Sequence, residues 1–426
     1  MPEPEEGRQA LNRQRSRNPH LSLWRNRDYL LLWSGQGIST LGSGVTQLAM
    51  PLLVLALSHS AAQAGIVNAL IMAPFIVFGL VAGALVDRWD RKRLMILCDA
   101  VRAPNIASIP LAGALARVTL GQLYIVALVE GTSYALFSLA EAAALPQVVT
   151  EEQLTAAVAQ NRIMYDVTNL LGPPLGGTLF AVGRTLPFLA DMVSYTVSVF
   201  SLLAIHTHFQ QERTPHMDGL RTEIVTGLRF LWNTPVLRFM AFINSGISFT
   251  LYGVPLMAIV LAKGHHASPA QIGLMFSAGG VGGITGALAV TRVRQRLSFG
   301  AVIIGILWIW SVLLSLLAIA PNVVTIGALL MLVLFVDPTY DIVQYSYRLS
   351  LIPDELQGRV NSAFRLIAWG MRPIGIALAG FLLQFAGATR AVLFFGVCLV
   401  LIALAALLNP YIRNAPPMGT QVEALT

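Results

Sequence analysis

Seven carboxylic acids lie inside long apolar stretches of the sequence, where a charge is costly to bury. They are Asp99, Glu130, Glu141, Asp166, Asp191, Asp337 and Asp341. An acid in apolar surroundings tends to keep its proton, whereas a nearby arginine favours the release of that proton. No histidine lies in the interior of these stretches. The residue types therefore indicate reversible proton binding by carboxyl groups.

Three of these acids are the candidates for proton coupling. Glu130 comes first because it lies near the middle of its apolar stretch. Asp337, which precedes Pro338, comes second, and Asp341 comes third. The alternative role for each is a buried ion pair with an arginine from another helix.

Other acids are more easily explained as structural. Asp99 and Arg102 are three residues apart, and Arg162 and Asp166 are four apart, so each pair can form within one helix. Asp191 lies near the end of its stretch and also favours a structural role. The two cysteines, at positions 98 and 398, fall in apolar stretches and predict neither a disulfide framework nor a metal site. No cofactor is expected.

The elements that carry these acids are predicted to be membrane helices. Hydrophobic residues make up 55% of the 426 residues and charged residues only 12%, about half of what a soluble domain carries. At about 20 residues a span, the chain has room for about twelve transmembrane helices. We place them at 29–57, 64–86, 94–116, 120–145, 156–182, 187–206, 236–262, 271–291, 299–320, 323–347, 359–385 and 389–409.

Basic residues predict the orientation of these spans. Nineteen of the 28 lysines and arginines fall on the side of the N-terminus, and four fall on the opposite side. This asymmetry predicts an inner-membrane protein with both termini in the cytoplasm. Because the basic residues are scattered over short loops, the net charge of +7 does not indicate nucleic-acid binding.

The longest polar interruption divides the predicted spans into six plus six. We expect an arginine-rich tail, an N-terminal bundle, a cytoplasmic linker, a C-terminal bundle and a second tail, at 1–27, 28–206, 207–235, 236–410 and 411–426. The halves repeat each other: Asn161 and Pro173 correspond to Asn361 and Pro373 at an offset of 200. Internal repeats of this kind are typical of secondary transporters.

Two short motifs carry a resemblance to a known family. GALVDRWDRKRL (83–94) resembles the G-x-L-x-D-R-x-G-R-R signature of the major facilitator superfamily, with Asp90 in place of a glycine. NLLGPPLGG (169–177) resembles the antiporter signature of that superfamily. PDELQGRVNSAF (353–364) and DAVR (99–102) are similar to the branch that contains macrolide-efflux proteins and enterobactin exporters. The resemblance covers about residues 22–410.

The resemblance implies an all-α membrane protein with twelve transmembrane helices in two pseudo-symmetric six-helix bundles. It also implies a conformational latch formed by Gly83, Asp87, Arg88, Arg91 and Lys92. The second motif implies an antiporter-type bend at Gly172, Pro173, Gly176 and Gly177. GPPLGG is not expected to form a regular helix, and we expect it to pack against the glycine-rich span 8. The arginine that many drug–proton antiporters carry in span 4 is replaced here by Ala127.

In this superfamily, spans 1, 4, 7 and 10 line a central cavity, and each of these spans has a polar stripe in this sequence. The residues expected to line the substrate cavity are Gln36, Thr40, Gln47, Tyr134, Asn244, Ser248 and Tyr252. Arg365 and Arg372 share a face of span 11 that has no acid, so they are candidates for binding an anionic substrate.

The function predicted from these features is proton-coupled efflux of amphipathic, drug-like small molecules by a monomer in the lipid bilayer. One alternative is an exporter of a siderophore or another anionic metabolite. An alternative of another class is a membrane sensor that binds without transporting. An enzyme is not expected, because the sequence lacks a metalloprotease HExxH motif and a G-x4-G-K-[ST] phosphate loop.

Overall fold

The computed structural model describes residues 23–76, 78, 89–207, 209 and 220–413 of the chain. Within these residues the chain is helical and has no strand. The helices of the N-terminal half are α1 (Arg27–Ser58), α2 (Ala61–Met72), α3 (Arg91–Ala114), α4 (Leu120–Val148), α5 (Glu151–Val182) and α6 (Leu186–Ala204). A separate linker helix (Leu220–Asn233) joins the halves.

In the C-terminal half, two of the predicted spans are each formed by two helices. The helices are α7a (Pro235–Leu251), α7b (Val254–Gly264), α8 (Pro269–Arg296), α9 (Phe299–Leu317), α10 (Val323–Ser350), α11a (Gln357–Gly370), α11b (Arg372–Phe385) and α12 (Ala388–Leu408). Pro255 and Pro373 follow the two breaks, and each removes one backbone N–H from the helix. The breaks lie side by side, since a Cβ atom added to Gly375 would be 2.0 Å from the carbonyl oxygen of Phe249.

Ten of the described helical segments are long and apolar enough to cross a membrane. The segment Ala61–Ile76 is apolar but shorter, and α5 is long but contains the GPPLGG sequence and several polar residues. Together these make the twelve helices of a major facilitator fold, arranged as two six-helix bundles.

Helix starts are fixed by side-chain caps that the sequence supplies. Asn26 accepts a hydrogen bond from the backbone N–H of Tyr29 at the start of α1. Asp90 accepts one from Arg93 at the start of α3, and Thr150 with Gln153 forms a capping box at the start of α5. Such caps satisfy N–H groups that have no partner within the helix.

The prediction that GPPLGG does not form a regular helix is wrong, because α5 continues without a break from Glu151 to Val182. Pro174 leaves the carbonyl oxygen of Leu170 without its helical partner. The hydroxyl of Ser277 on α8 donates to that oxygen at 3.1 Å. A neighbouring helix thus satisfies the group that the proline frees, as membrane proteins require.

We call the end of the bundles that carries the linker helix the linker end, and the opposite end the distal end. The contacts between the two bundles lie toward the distal end. A Cβ atom on Gly65 would be 2.8 Å from the Cα of Gly380, and the backbone N–H of Ala61 donates to Gln384 at 2.8 Å. A Cβ atom on Gly177 would be 2.2 Å from the carbonyl oxygen of Pro269. Among the described residues, the bundles are therefore closed at the distal end.

Candidate functional site

A buried network of polar side chains lies inside the N-terminal bundle, with Arg102 of α3 at its centre. Its guanidinium donates to Glu130 of α4, at 2.7 Å from Nε and 2.5 Å from Nη2. It also contacts Asp99 at 3.4 Å, the hydroxyl of Ser43 on α1 at 3.1 Å, and the hydroxyl of Tyr195 on α6. Four helices therefore meet at one guanidinium.

The network continues along buried side chains on both sides. Tyr195 donates to Glu130 at 2.6 Å, and Ser198 donates to Asp99 at 2.6 Å. Gln36 donates to Ser198 at 3.3 Å. Asp99, Tyr195 and Ser198 have no exposed surface, and Glu130 is only 7% exposed. Water is largely excluded, which strengthens each electrostatic contact.

Acids outnumber bases in this region. Asp191 of α6 is fully buried near Glu130, and it accepts a hydrogen bond from Ser194 at 3.1 Å. Arg102 is the single guanidinium that the described network contains for three carboxyl groups. One oxygen of Glu130 and one of Asp191 have no described hydrogen-bond partner. The arrangement can hold a proton, because a carboxyl without a counter-charge is costly to keep ionised when buried.

Sequence reasoning missed the main partners of Glu130. It treated Asp99 and Arg102 as a self-contained pair, but Arg102 also binds Glu130. It assigned Asp191 a structural role and missed that Asp191, Tyr195 and Ser198 recur at helical spacing on α6, where they form a buried polar face. That spacing is visible in the sequence and could have found the face. Many drug–proton antiporters carry an arginine on span 4, where this chain has Ala127. Here Arg102, on α3, places a positive charge beside Glu130 instead.

Removing the Tyr195 hydroxyl tests whether the network is bonded as described. In a Tyr195→Phe variant, Glu130 and Arg102 each lose one partner in a buried place. We expect the free energy of unfolding to fall by about 1–3 kcal/mol, measured by thermal unfolding in detergent. Thr196→Val is the matched control, since the Thr196 hydroxyl is on an exposed part of α6. Equal stability of Tyr195→Phe and the parent protein would contradict the bonding.

The other two acid candidates lie in a second place, between the bundles. Asp337 and Asp341 on α10 lie within electrostatic range of Arg162 on α5 and Arg372 on α11b, but none of these pairs is within ion-pair distance among the described residues. Asp341 is exposed and Asp337 half-buried. Charged side chains from both bundles thus face a common space.

Aromatic rings and arginines alternate at the edge of this space. The Arg372 guanidinium lies 4.0 Å from the ring centre of Tyr252, at the break of span 7, and 4.2 Å from that of Trp369. Arg365 lies 5.5 Å from the Trp369 ring. Neither arginine forms an ion pair among the described residues, and the Arg372 Nε has no partner there. Both remain able to donate to an anion.

The remaining predicted cavity residues differ in how far they are buried. Gln36 and Ser248 are buried, Thr40, Tyr134 and Asn244 are half-buried, and Gln47 is exposed. Gln36 belongs to the N-terminal network, and Tyr134 packs edge-on against Phe75, with ring centres 5.6 Å apart. The structure brings Tyr252 to the central space with Asp337, Asp341 and Arg372.

Of the predicted latch, Gly83, Asp87 and Arg88 lie outside the described residues. Arg91 donates to the carbonyl oxygens of Ala143, at 2.9 Å, and Phe209, at 3.3 Å. Lys92 donates to that of Ile205 at 2.6 Å. These three bonds stay within the N-terminal half and reach the chain that leads into the linker.

The glycines of the antiporter-like segment have two different neighbours. Cβ atoms on Gly172 and Gly176 would press on the α1 backbone inside the N-terminal bundle, 2.9 Å from Gly44 and 2.6 Å from the Val45 oxygen. Gly177 instead faces α8 of the other bundle. Pro173 lies at the same interface, where its carbonyl oxygen would be 2.6 Å from a Cβ atom on Gly273.

Known proteins support this interpretation of the fold. The multidrug efflux pump Tap of Mycolicibacterium fortuitum is 28% identical over 385 residues, covering 88% of this chain and 93% of that protein. The enterobactin exporter EntS of Citrobacter koseri is 26% identical over 391 residues, covering 89% and 92%. The solved structure of a mutant of the nucleoside transporter NupG superposes with a TM-score of 0.74 at 13% identity, covering 89% of this chain and 99% of that one. At that identity the superposition shows the fold alone.

A family comparison covers nearly the whole chain. Residues 19–416 match the family described as transmembrane secretion effector. The match includes both bundles and the linker between them. The chain therefore belongs to this family of the major facilitator superfamily.

Proposed function

We propose that this chain is a proton-coupled exporter of amphipathic small molecules that works by alternating access. The carrying observation is the buried network in which two carboxyl groups, Asp99 and Glu130, bind the Arg102 guanidinium and a third, Asp191, is buried nearby. Protonation of Glu130 would weaken its ion pair and leave Asp99 as the acid that binds Arg102. The sequence similarity to multidrug efflux pumps supports drug-like substrates.

In this proposal the two bundles, 28–206 and 236–410, rock about the glycine contacts at their interface. The linker end faces the cytoplasm, as the lysine and arginine distribution predicts. The closed distal end then faces away from the cytoplasm, and substrate enters from the cytoplasmic side in this state. The protein acts as a monomer in the inner membrane, with both termini in the cytoplasm.

A substrate-accumulation panel tests the proposal. Cells with and without the gene are loaded with cationic, neutral and anionic amphipathic compounds, with and without a protonophore. We expect lower accumulation in cells with the gene and loss of the difference when the protonophore is added. An unchanged difference would exclude proton coupling. Reconstituted protein that binds a compound but moves none across a vesicle would instead indicate a sensor.

A second candidate substrate class is anionic, because Arg372 and Arg365 lie at the central space without ion-pair partners among the described residues. A charge-assisted hydrogen bond contributes roughly 1.5–3 kcal/mol. We therefore expect Arg372→Ala to lower the export of an anionic aromatic substrate by about tenfold or more, and to leave cation export nearly unchanged. Equal loss for both substrate classes would argue against anion recognition.

Arg238→Ala is the matched control for this experiment. Arg238 is also an arginine over a tryptophan, 5.6 Å from the ring centre of Trp232, but it lies at the start of α7a, away from the central space. Uptake into inverted vesicles measures the rates of all three proteins. The control should transport anions at the parent rate.

A further inference from the structure

Arg348, near the linker end of α10, is a buried arginine without a counter-charge among the described residues. It lies two residues before the end of the helix at Ser350 and is only 6% exposed. Its contacts are with rings: the guanidinium is 4.0 Å from the ring centre of Phe364 on α11a and 5.1 Å from that of Tyr345. Within the described part of the chain it has no hydrogen bond and no ion pair.

One further buried polar side chain on each of these two helices lacks a partner among the described residues. Gln344, one turn earlier on α10, is 5% exposed, and its side-chain Nε2 has no described partner. Asn361, one turn before Phe364 on α11a, has a buried Oδ1 atom that also has no described partner. A rotation of the Asn361 amide exchanges its oxygen for its NH2 group. All three side chains can therefore donate hydrogen bonds.

Among the described residues, the charges near Arg348 do not compensate it. Its charged neighbours are Arg365 on α11a, which adds positive potential, and Asp341, two turns earlier on α10. Asp341 is exposed and is beyond ion-pair distance. Arg102 shows the contrast, since the same chain surrounds that buried guanidinium with two acids and two hydroxyl groups. An unpaired buried charge is costly, and buried charges are normally paired.

We propose that Arg348, with Gln344 and Asn361, forms a binding site for a single oxyanion group of the phosphate class. The centre of the Phe364 ring lies 4.0 Å from the guanidinium carbon, and the Nε of Arg348 has no hydrogen-bond partner among the described residues. The N–H edge of a guanidinium matches the spacing of two oxygens on one phosphate. The site lies nearer the linker end than Arg372, because Phe364 lies on α11a before the break in span 11, whereas Arg372 follows that break.

Two sources can supply this chemistry at the linker end: free phosphate in the aqueous phase, or the phosphate of an anionic lipid. Purified protein in a neutral detergent is titrated with inorganic phosphate at constant ionic strength, and its unfolding temperature is measured. A ligand that binds the folded state raises this temperature with saturation. A parallel titration uses short-chain phosphatidylglycerol without phosphate.

We expect a saturable rise in at least one titration. In Arg348→Gln the half-saturating concentration should increase at least tenfold, whereas Arg413→Gln, which removes an exposed arginine at the same end, should keep the parent value. A response to phosphate alone identifies a free anion as ligand. A response to the lipid alone, with the same dependence on Arg348, identifies a lipid headgroup.

Identical curves for Arg348→Gln and the parent protein, or no saturable response to either compound, would overturn the proposal. If Arg348→Gln does not fold, Gln344→Leu and Arg348→Lys replace it. Gln344→Leu removes one donor, and Arg348→Lys keeps the charge but loses the two-pronged edge. Both should weaken binding severalfold, measured by equilibrium dialysis of radiolabelled phosphate or lipid. Unchanged binding in both variants would equally exclude the site.

Discussion

In a Glu130→Gln variant, we expect proton-driven efflux to fall to the level of cells without the gene, while the protein still folds. The glutamine oxygen can accept from Arg102 and Tyr195 in place of the carboxylate oxygen, which lies 2.7 and 2.6 Å from them. The amide cannot bind and release a proton, so the proposed coupling step is lost. Substrate uptake into inverted vesicles under an imposed pH gradient measures this directly.

Two further substitutions make the result interpretable. Glu141→Gln neutralises another acid on the same helix, one that has no described ion pair, and should retain more transport than Glu130→Gln. Glu130→Ala leaves part of the buried charge of Arg102 unpaired and should destabilise the protein by about 3–5 kcal/mol. Parent transport rates in Glu130→Gln would remove Glu130 from the mechanism and leave Asp337 and Asp341 as the candidates.

A single methyl group at Gly177 should keep the distal end from closing. The added Cβ atom would lie 2.2 Å from the carbonyl oxygen of Pro269, which is backbone of the opposite bundle. Overpacking of this kind costs about 1–3 kcal/mol, which shifts an equilibrium by roughly 5- to 150-fold. Because only the closed distal end contains this contact, Gly177→Ala should favour the state open at that end and slow transport strongly.

Chemical labelling at the distal end measures the shift. Leu383, 6% exposed on α11b, is replaced by cysteine in a background without Cys98 and Cys398, and a membrane-impermeant thiol reagent is added. Gly177→Ala should increase its labelling severalfold. Gly305→Ala is the control, since nothing lies within 4 Å of a Cβ atom there.

Gly176→Ala separates the interface effect from general damage. Its Cβ atom would press on α1 within the same bundle, 2.6 Å from the Val45 oxygen, in whichever state the bundles adopt. We expect lower stability without increased labelling. If Gly177→Ala labels like the parent protein, the contact does not control the distal end.

Much of the fold follows from the sequence because membrane helices obey local rules. Of the twelve apolar spans predicted from the sequence, ten are described as helices long and apolar enough to cross a membrane. The glycine-rich motifs predicted where helices approach closely. The continuity of α5 was not predictable from local rules. It depends on Ser277, more than a hundred residues away, reaching the oxygen that Pro174 leaves free.

The site was predictable only in part. A charged carboxyl near the middle of a membrane span is costly to bury, so Glu130 could be selected as a candidate from the sequence alone. Its partners do not, since periodicity shows which face of α3 or α6 is polar but not which helix that face meets. Asp99, three residues before Arg102, is a suitable partner within the same helix, so the sequence offered no reason to look for another. The contact with Glu130 is shorter, at 2.5 Å against 3.4 Å for Asp99.

The hydrogen bond between Ser277 and the Leu170 carbonyl favours the state in which the distal end is closed. This acceptor is satisfied across the interface only while α5 and α8 stay together at the distal end. When the bundles separate there, the oxygen must find water or remain bare, so the bond biases the cycle by about 0.5–1.5 kcal/mol. The proline thus leaves a carbonyl oxygen whose bond to the other bundle favours the state closed at the distal end.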